Sequence, residues 1–299
     1  MTRVTDPLRW HEERPTLHEP VLIVMLTGWI DASGAAAAAM SLLDGACHAR
    51  PLVTFDGDAF VDYRARRPTM SLREGVNVDL EWPEIVLKVG ADLEGRDVLL
   101  LCGPEPDMAW HRFARLATDL AVDLGVTTAV MLGAYPFSTP HTRPSRLSVT
   151  SPSTELVARS GLLRSSIDVP AGMGAVLEHS LHGRGIAAMG VWAQVPHYLG
   201  ALSYPAATVA LVDGLEQLVG LRVDAGSARE EAAVQRRRVD LLVAGNDEHR
   251  AMVTQLEVAF DAGDDPAPGA IDAPIPSGDE LAAEFERFLR DHPDGGDAG

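Results

Sequence analysis

The feature that most constrains the fold of this chain is a series of short apolar runs separated by helical patterns. Six consecutive apolar residues occupy positions 21–26, which is typical of a strand buried on both faces. A glycine-bounded loop follows at 27–34, and five consecutive alanines at 35–39 then favour a helix. A strand, a loop at its carboxyl end and a helix form the repeating unit of α/β proteins.

Runs of the same kind recur along the chain. Further strands are predicted at 52–55, 85–89, 98–101, 128–132 and 186–195. Helical periodicity follows at 110–120 and 206–221. Because strands and helices alternate, we expect a mainly parallel sheet covered by helices on both sides.

The pattern changes after residue 224, where only helical periodicity and acidic stretches remain. We predict a helical hairpin over 227–261, an acidic flexible linker over 262–276, an amphipathic helix over 277–291 and a disordered tail over 292–299. The apolar stripe of the amphipathic helix consists of Leu281, Phe285, Phe288 and Leu289. This helix either packs back on the body of the protein or docks in a groove of a partner.

Charge and composition narrow the class of protein. The chain has 25 Lys and Arg against 43 Asp and Glu, a formal net charge of −18, which disfavours binding to nucleic acid or to anionic membranes. The first residues lack the pattern of a signal peptide, and no stretch of about 18 apolar residues indicates a membrane span. Two cysteines do not make a disulfide framework. We therefore expect a cytoplasmic protein with neither nucleic-acid nor membrane partners.

The loop after the first strand is a candidate for a crevice or an interface. Ligand crevices in open α/β sheets lie at the carboxyl ends of strands, and this loop contains Gly28, Trp29 and Asp31. Its backbone amides could hold an anion, although the carboxylate of Asp31 would oppose a phosphate. The alternative is a turn in which Asp31 or Ser33 caps the next helix and Trp29 packs or forms an interface.

Two later loops lie at the ends of predicted strands and carry the other candidate side chains. The loop after 128–132 holds Tyr135, His141 and Arg143 among three prolines, and His197 and Tyr198 follow 186–195. His141 is of a type that acts as a general base, but no spacing assigns it a nucleophile. The alternative is a stiff loop that shapes an interface.

Other polar groups give weaker signals. His179 and His182 lie three residues apart on a predicted helix, but a third metal ligand is not evident. Asp56 and Asp58 are two carboxylates with arginines nearby, which neutralise them as readily as a cation would. We predict no catalytic set, no metal and no cofactor.

Four groups of loop residues, taken in order, resemble one known family. They are Gly28–Asp31; 55–58 with 62–68; 132–136 with 141–144; and 195–198 with 205–208. The ordered set is similar to the proteasome assembly chaperone 2 family, in the bacterial branch found in actinobacteria. The resemblance covers residues 15–222, which we take as the α/β core, and the acidic helical extension is also similar to that branch.

The resemblance implies a fold and a class of function. It implies a three-layer α/β/α fold with a mixed sheet, similar to purine nucleoside phosphorylase, and a homo-oligomer such as a trimer. Relatives in eukaryotes and archaea are non-enzymatic chaperones of proteasome assembly. We therefore expect a chaperone-like interaction module with a protein partner, linked to proteasome assembly or regulation.

Two alternatives stay open. One is a small-molecule-binding protein or an enzyme of the nucleoside phosphorylase or hydrolase type that uses a crevice at the strand ends. It predicts that Asp31, His141, Arg143 and His197 converge on one concave pocket. The other is a purely structural oligomer.

Overall fold

An eight-stranded sheet and a separate two-stranded hairpin organise residues 7–263, the part of the chain that this computed structural model describes. The strands are β1 Leu8–Trp10, β2 Val21–Thr27, β3 Arg50–Phe55, β4 Thr69–Arg73, β5 Val76–Glu81, β6 Val86–Ala91, β7 Asp97–Pro104, β8 Thr128–Phe137, β9 Leu147–Thr150 and β10 Ala187–Pro196. The predicted helix over 277–291, with Leu281, Phe285, Phe288 and Leu289, and the predicted tail lie outside the described residues.

The sheet is mixed, as expected, and its order is β1-β3-β6-β7-β2-β8-β10-β9. The four adjacent strands β7, β2, β8 and β10 are parallel, and every other pairing is antiparallel. The parallel part is smaller than the sequence analysis expected, at three of seven pairings. The reason is connectivity, because residues 92–96 join β6 to β7 by a turn too short for a crossover helix.

Helices cover both faces of the sheet and complete three layers. They are α1 Ala35–Ala46, α2 Gly57–Phe60, α3 Trp110–Asp123, α4 Thr154–Ser160, α5 Met173–His182, α6 Pro205–Val219, α7 Gly226–Ala244 and α8 Asp247–Ala262. Residues of α1 and α6 share one apolar core with Ile23, whereas α3 and α5 share a second core with Leu22. The first apolar run is continuous because its alternate side chains enter different cores.

One edge of the sheet collects the candidate loops. The parallel strands β7, β2, β8 and β10 end at this edge, and β3 runs in the same direction because β6 is antiparallel to both β3 and β7. We call it the carboxyl edge. The β4–β5 hairpin also leaves from this edge, since it connects the end of β3 to the start of β6.

The helices α7 and α8 reach the same edge from outside the α6 layer. Along α7, Arg229 pairs with Asp213 of α6, and the Gln235 side chain donates to the carbonyl oxygen of Ser203. Contacts with α8 then connect this helical hairpin of α7 and α8 to the loop after β8.

Within residues 7–263, no helix combines the length and the hydropathy needed to cross a membrane.

Candidate interaction site at the carboxyl edge

His141 lies at the centre of a buried polar cluster. Its Nδ1 atom is 2.7 Å from the Tyr198 hydroxyl oxygen, which also accepts the backbone N–H of His141 at 2.8 Å. Its Nε2 atom is 3.1 Å from Oδ1 of Asp240 on α7. This arrangement suits a neutral ring that accepts the Tyr198 proton at Nδ1 and donates from Nε2. Burial lowers the pKa of His141 below 6.5, although the hydrogen bond to Asp240 acts in the opposite direction.

Arg143 connects the same loop to the last turns of α8. Its Nε and Nη2 atoms lie 2.8 and 2.6 Å from the two carboxylate oxygens of Asp261. Its Nη1 atom lies 3.1 Å from Oε1 of Glu257, which also accepts a hydrogen bond from Thr142. The paired carboxylates raise the pKa of Arg143 above its usual value. The guanidinium therefore holds α8 in place, in the planar two-point geometry that arginine favours.

Arg146 adds a contact with an aromatic ring to this attachment. Its guanidinium carbon lies 3.7 Å from the centre of the Phe260 ring, within the range of a cation–π contact. Its Nη2 atom also donates to the carbonyl oxygen of Phe260 at 2.8 Å. The loop after β8 therefore holds the end of α8 through Arg143 and Arg146.

Asp31 caps α1, as one of the two alternatives for its loop predicted. Its carboxylate oxygens accept the backbone N–H groups of Ala36 at 2.8 Å and Ala37 at 3.0 Å. Burial raises the pKa of Asp31, and these two hydrogen bonds oppose that rise. Because both oxygens already accept backbone protons, the side chain is occupied by the helix start.

Tyr135 and His197 lie at the ends of β8 and β10. The Tyr135 hydroxyl is 3.3 Å from Oγ of Ser148 and accepts a hydrogen bond from Gln194 at 3.2 Å. His197 is exposed, and its ring contacts that of Tyr198 edge to face. Of the four residues that an enzymatic pocket would need to gather, Asp31, His141 and Arg143 are each used in a different set of contacts.

Gly28 and Trp29 lie at the middle of the edge. Gly28 has a φ of 120°, and a Cβ there would stand 2.7 Å from Arg66, whose Nε is 3.1 Å from Asp107. The Trp29 ring lies against Gly172, where a Cβ would approach it to 2.8 Å. Trp29 is nevertheless 39% exposed. Its ring therefore presents an apolar surface beside the chain that leads into α5.

The sequence analysis missed the β4–β5 hairpin, which exposes several large apolar side chains. The register pairs Met70 with Leu80, and it shifts after Ser71 so that Leu72 pairs with Asn77. Met70, Leu80 and the nearby Leu72 and Val78 are all 42–55% exposed. The turn residues Glu74 and Gly75 have φ values of 49° and 84°. Alternation around a turn ending in Gly is a hairpin signal that the sequence does contain.

The described residues offer little for a metal. Between residues 7 and 263, no group of three His, Cys, Asp or Glu side chains is placed to hold an ion. Cys47 and Cys102 are free thiols there, and burial raises the pKa of both. The edge is therefore built from ion pairs around its helices and from exposed apolar side chains at Trp29 and on the β4–β5 hairpin.

Comparison with known proteins agrees with this architecture. The model of the PAC2 family matches residues 25–243. No curated protein sequence matches the chain. A solved protein of unknown function from Corynebacterium glutamicum is 29% identical, covers 85% of this chain and 97% of its own, and superposes with a TM-score of 0.79.

Two further structures carry family names. A proteasome-assembly chaperone homologue from Mycobacterium tuberculosis is 32% identical, with 78% of this chain and 99% of that chain covered and a TM-score of 0.72. A PAC2 family protein from Streptomyces avermitilis is 33% identical with the same coverage and a TM-score of 0.71. The family model spans most of the α/β core and all but the last residue of α7. This chain is a member of the PAC2 family.

Proposed function

We propose that this protein is a non-enzymatic, chaperone-like interaction module linked to proteasome assembly or regulation. Membership of the PAC2 family supports the class, and the Mycobacterium tuberculosis relative is described as a proteasome-assembly chaperone homologue. The proposal includes a cytoplasmic location and a homo-oligomer such as a trimer. The partner is a protein related to the proteasome.

The observation that carries this proposal is the exposed apolar surface of the carboxyl edge. Trp29 and Ile30 are 39% and 46% exposed, and the apolar face of the β4–β5 hairpin is exposed to a similar degree. Contiguous apolar patches on a protein surface mark sites of interaction. A two-stranded hairpin has little stability of its own, so a partner that covers its apolar face would also order it.

The polar face of the hairpin supports the same proposal. Thr69, Ser71, Asp79 and Glu81 pair across the strands on the side opposite Met70 and Leu80. An amphipathic hairpin of this kind keeps one side in water and offers the other to a protein surface. The root of the hairpin is fixed by the edge-to-face contact of Tyr63 with Trp82, whose ring centres are 4.7 Å apart.

The contacts of the candidate side chains argue against the enzymatic alternative. A catalytic group must reach a substrate, whereas Asp31, His141 and Arg143 are engaged within the fold. Their shared effect is to position α1, α7 and α8. His197 is the exposed member of the candidate set, and it fits a contact with a partner better than a buried catalytic role.

Affinity capture from native lysate of the source organism tests the proposal, with proteasome subunits quantified by mass spectrometry. The test variant combines Met70→Gln and Leu80→Gln on the apolar face. The matched control combines Ser71→Gln and Glu81→Gln on the polar face. We expect the native chain and the control to enrich proteasome subunits and the test variant to lose about tenfold, the loss expected for two apolar contacts. Equal capture by all three, or no proteasome subunit on any, would contradict the proposal.

A further inference from the structure

Two charged side chains converge on the backbone of Gly28, directly after β2. A Cβ at Gly28 would stand 2.7 Å from Nη2 of Arg66 and 3.2 Å from Cγ of Glu105. The φ of 120° at Gly28 is a backbone conformation that residues with a side chain rarely adopt. The glycine therefore leaves room for a guanidinium and a carboxylate beside the same residue, although Arg66 and Glu105 form no ion pair with each other.

Arg66 is held through one of its three nitrogen atoms. Its Nε lies 3.1 and 3.2 Å from the two carboxylate oxygens of Asp107. Asp107 is fixed in turn, because its Oδ2 accepts the backbone N–H of Asp62 at 2.9 Å. Nη1 and Nη2 of Arg66 have no hydrogen-bond partner among residues 7–263, and neither is a buried unpaired atom, so both reach solvent. A guanidinium fixed in this way is preorganised to donate outward.

Glu105 provides an acceptor beside these donors. Its Oε2 accepts the backbone N–H of Met173, the first residue of α5, at 3.1 Å. Its own backbone N–H donates to the carbonyl oxygen of Thr27 at 2.7 Å, which fixes the start of the side chain. Oε1 has no partner in the described part of the chain and is not buried. Two free donors and one free acceptor therefore lie around Gly28.

The charges around Gly28 favour a neutral ligand group over an ion. Arg66 is cationic, whereas Asp107 and Glu105 are both anionic, so a carboxylate or a phosphate would meet a net negative charge. A cation would be repelled by the guanidinium. A peptide group holds a carbonyl acceptor and an N–H donor in one rigid plane. It is the neutral group that accepts from Arg66 and donates to Glu105 at the same time.

An aromatic surface lies beside this pair of side chains. The half-exposed Trp29 follows Gly28, and its ring lies against Gly172, the residue before Met173. In an extended segment, successive residues advance by about 3.3 Å, so a side chain next to a peptide group bound at Gly28 reaches the indole. Tryptophan and arginine are the residue types that most often anchor a protein interface.

We propose that Arg66 and Glu105 bind one peptide group of an extended segment of a partner protein, and that Trp29 contacts the apolar side chain next to it. The segment is a loop or a chain end, because the peptide groups inside helices and sheets are already paired. That a proteasome-related protein supplies this segment rests on the proposed function. The binding of a peptide group does not, and it is testable on the purified protein.

Titration of the purified full chain with acetyl-leucine methylamide tests the proposal. The readout is the NMR signal of the Trp29 indole N–H, assigned with Trp29→Phe. The matched probe is methylated on both nitrogens, so it keeps the carbonyl groups and the leucine side chain but has no N–H. We expect the first probe to bind with a dissociation constant of about 1 mM, as its 13 heavy atoms allow, and the methylated probe to bind about tenfold more weakly.

Two variants separate the roles of the charged side chains. In Glu105→Gln the amide oxygen keeps the contact with Met173 and the amide nitrogen replaces the free acceptor, so we expect about tenfold weaker binding of the first probe in a folded chain. Arg66→Gln removes the donors and should weaken binding by a similar factor. The exposed Arg67 has no ion pair among residues 7–263, and Arg67→Gln is the control that should bind like the native chain.

Three outcomes would overturn the proposal. They are equal binding of the two probes, native affinity in Glu105→Gln, and a saturable shift at Trp82 near the β4–β5 hairpin instead of at Trp29. None of them touches the proposed function, because that is tested by the capture of proteasome subunits with Met70→Gln and Leu80→Gln.

Discussion

The Nε2 atom of His141 lies 3.1 Å from Oδ1 of Asp240, although 99 positions separate the two residues. The contact joins the loop after β8 to the last turns of α7, and it helps to hold the helical hairpin of α7 and α8 on the carboxyl edge. The His141 side chain is only 2% exposed, whereas that of Asp240 is 46% exposed. A buried neutral imidazole that donates to a partly solvated carboxylate stabilises the joint without burying a charge pair.

The hydrogen bond between His141 and Asp240 should stabilise the fold less at acidic pH. Burial lowers the pKa of His141 in the folded chain, so the unfolded chain binds a proton first as the pH falls below about 6.5. The stability that depends on the neutral ring is present above pH 6.5 and is lost as the pH falls through the lower folded pKa. We expect His141→Gln, which cannot titrate, to show a smaller loss between about pH 7.5 and pH 5.5. Urea unfolding followed by circular dichroism measures this.

The exposed His111 on α3 provides the control for that experiment. The His111→Gln variant should keep the pH dependence of the native chain, because the substitution lies on the surface, away from the contact of His141 with Asp240. A His141→Gln variant with the same pH dependence as the native chain would contradict the assignment.

The ion pairs of Arg143 should determine how firmly the end of α8 is held. The Arg143→Ala substitution removes the contacts to both Glu257 and Asp261, while the sheet and its two cores are untouched. We expect faster hydrogen–deuterium exchange over 254–262 and unchanged exchange in β2 and β8, since helix ends open locally when their tertiary contacts go. Arg159→Ala, on exposed α4, is the control. Unchanged exchange over 254–262 in the Arg143 variant would show that α8 is held by other contacts.

The parts of this structure that local sequence determines were predictable. The apolar run of β2 and the cap supplied by Asp31 depend on residues within a few positions of one another. The partners of His141 and Arg143 were not predictable, because Asp240 and Asp261 reach them only through the packing of α7 and α8. The fraction of parallel pairing was overestimated for a similar reason, since an apolar run does not indicate whether the neighbouring strand is parallel or antiparallel.

The missed hairpin has a different cause. A buried strand is recognised by a continuous apolar run, whereas β5 alternates Val, Asn, Val, Asp, Leu and Glu and exposes all six residues. Its pattern indicates a strand with one polar face in contact with solvent, and the turn at Glu74 and Gly75 indicates a hairpin. A strand whose apolar side chains stay uncovered does not carry the pattern of a core strand.

The contact between Gly133 and Trp192 should make β8 intolerant of a side chain. A Cβ at position 133 would stand 2.3 Å from two carbons of the Trp192 ring, and the ring is anchored through Nε1 to Thr150. We expect Gly133→Ala to lower the free energy of unfolding by about 1–3 kcal/mol. The control is Gly45→Ala on α1, where no atom lies within 4 Å of the new Cβ and a gain of about 0.5–1 kcal/mol is expected. Chemical denaturation of both variants checks this, and a loss in the Gly45 variant or none in the Gly133 variant would contradict it.

Glu178 should give the opposite pH dependence from His141. Its side chain on α5 is 4% exposed and accepts a hydrogen bond from Thr150 at 2.9 Å. Burial raises the pKa of Glu178 from 4.5 to about 7, so the folded chain holds a proton that the unfolded chain releases earlier as the pH rises. The stability associated with the protonated acid is present below pH 4.5 and is lost as the pH rises through about 7. Glu178→Gln keeps an acceptor for Thr150 and removes the ionisation.

We expect the Glu178→Gln substitution to change stability little at pH 4.5 and to raise the free energy of unfolding at about pH 8, where the native carboxyl group is ionised. The upper limit of the gain is about 3 kcal/mol, from the size of the pKa shift. Exposed Glu155 on α4 supplies the control substitution Glu155→Gln, which should leave the native pH dependence intact. Urea unfolding at the two pH values measures all three chains. A Glu178→Gln variant that is no more stable than the native chain at the higher pH would contradict this prediction. The buried carboxyl group would then ionise at little cost in free energy, which requires water to reach the contacts from Glu178 through Thr150 to Trp192.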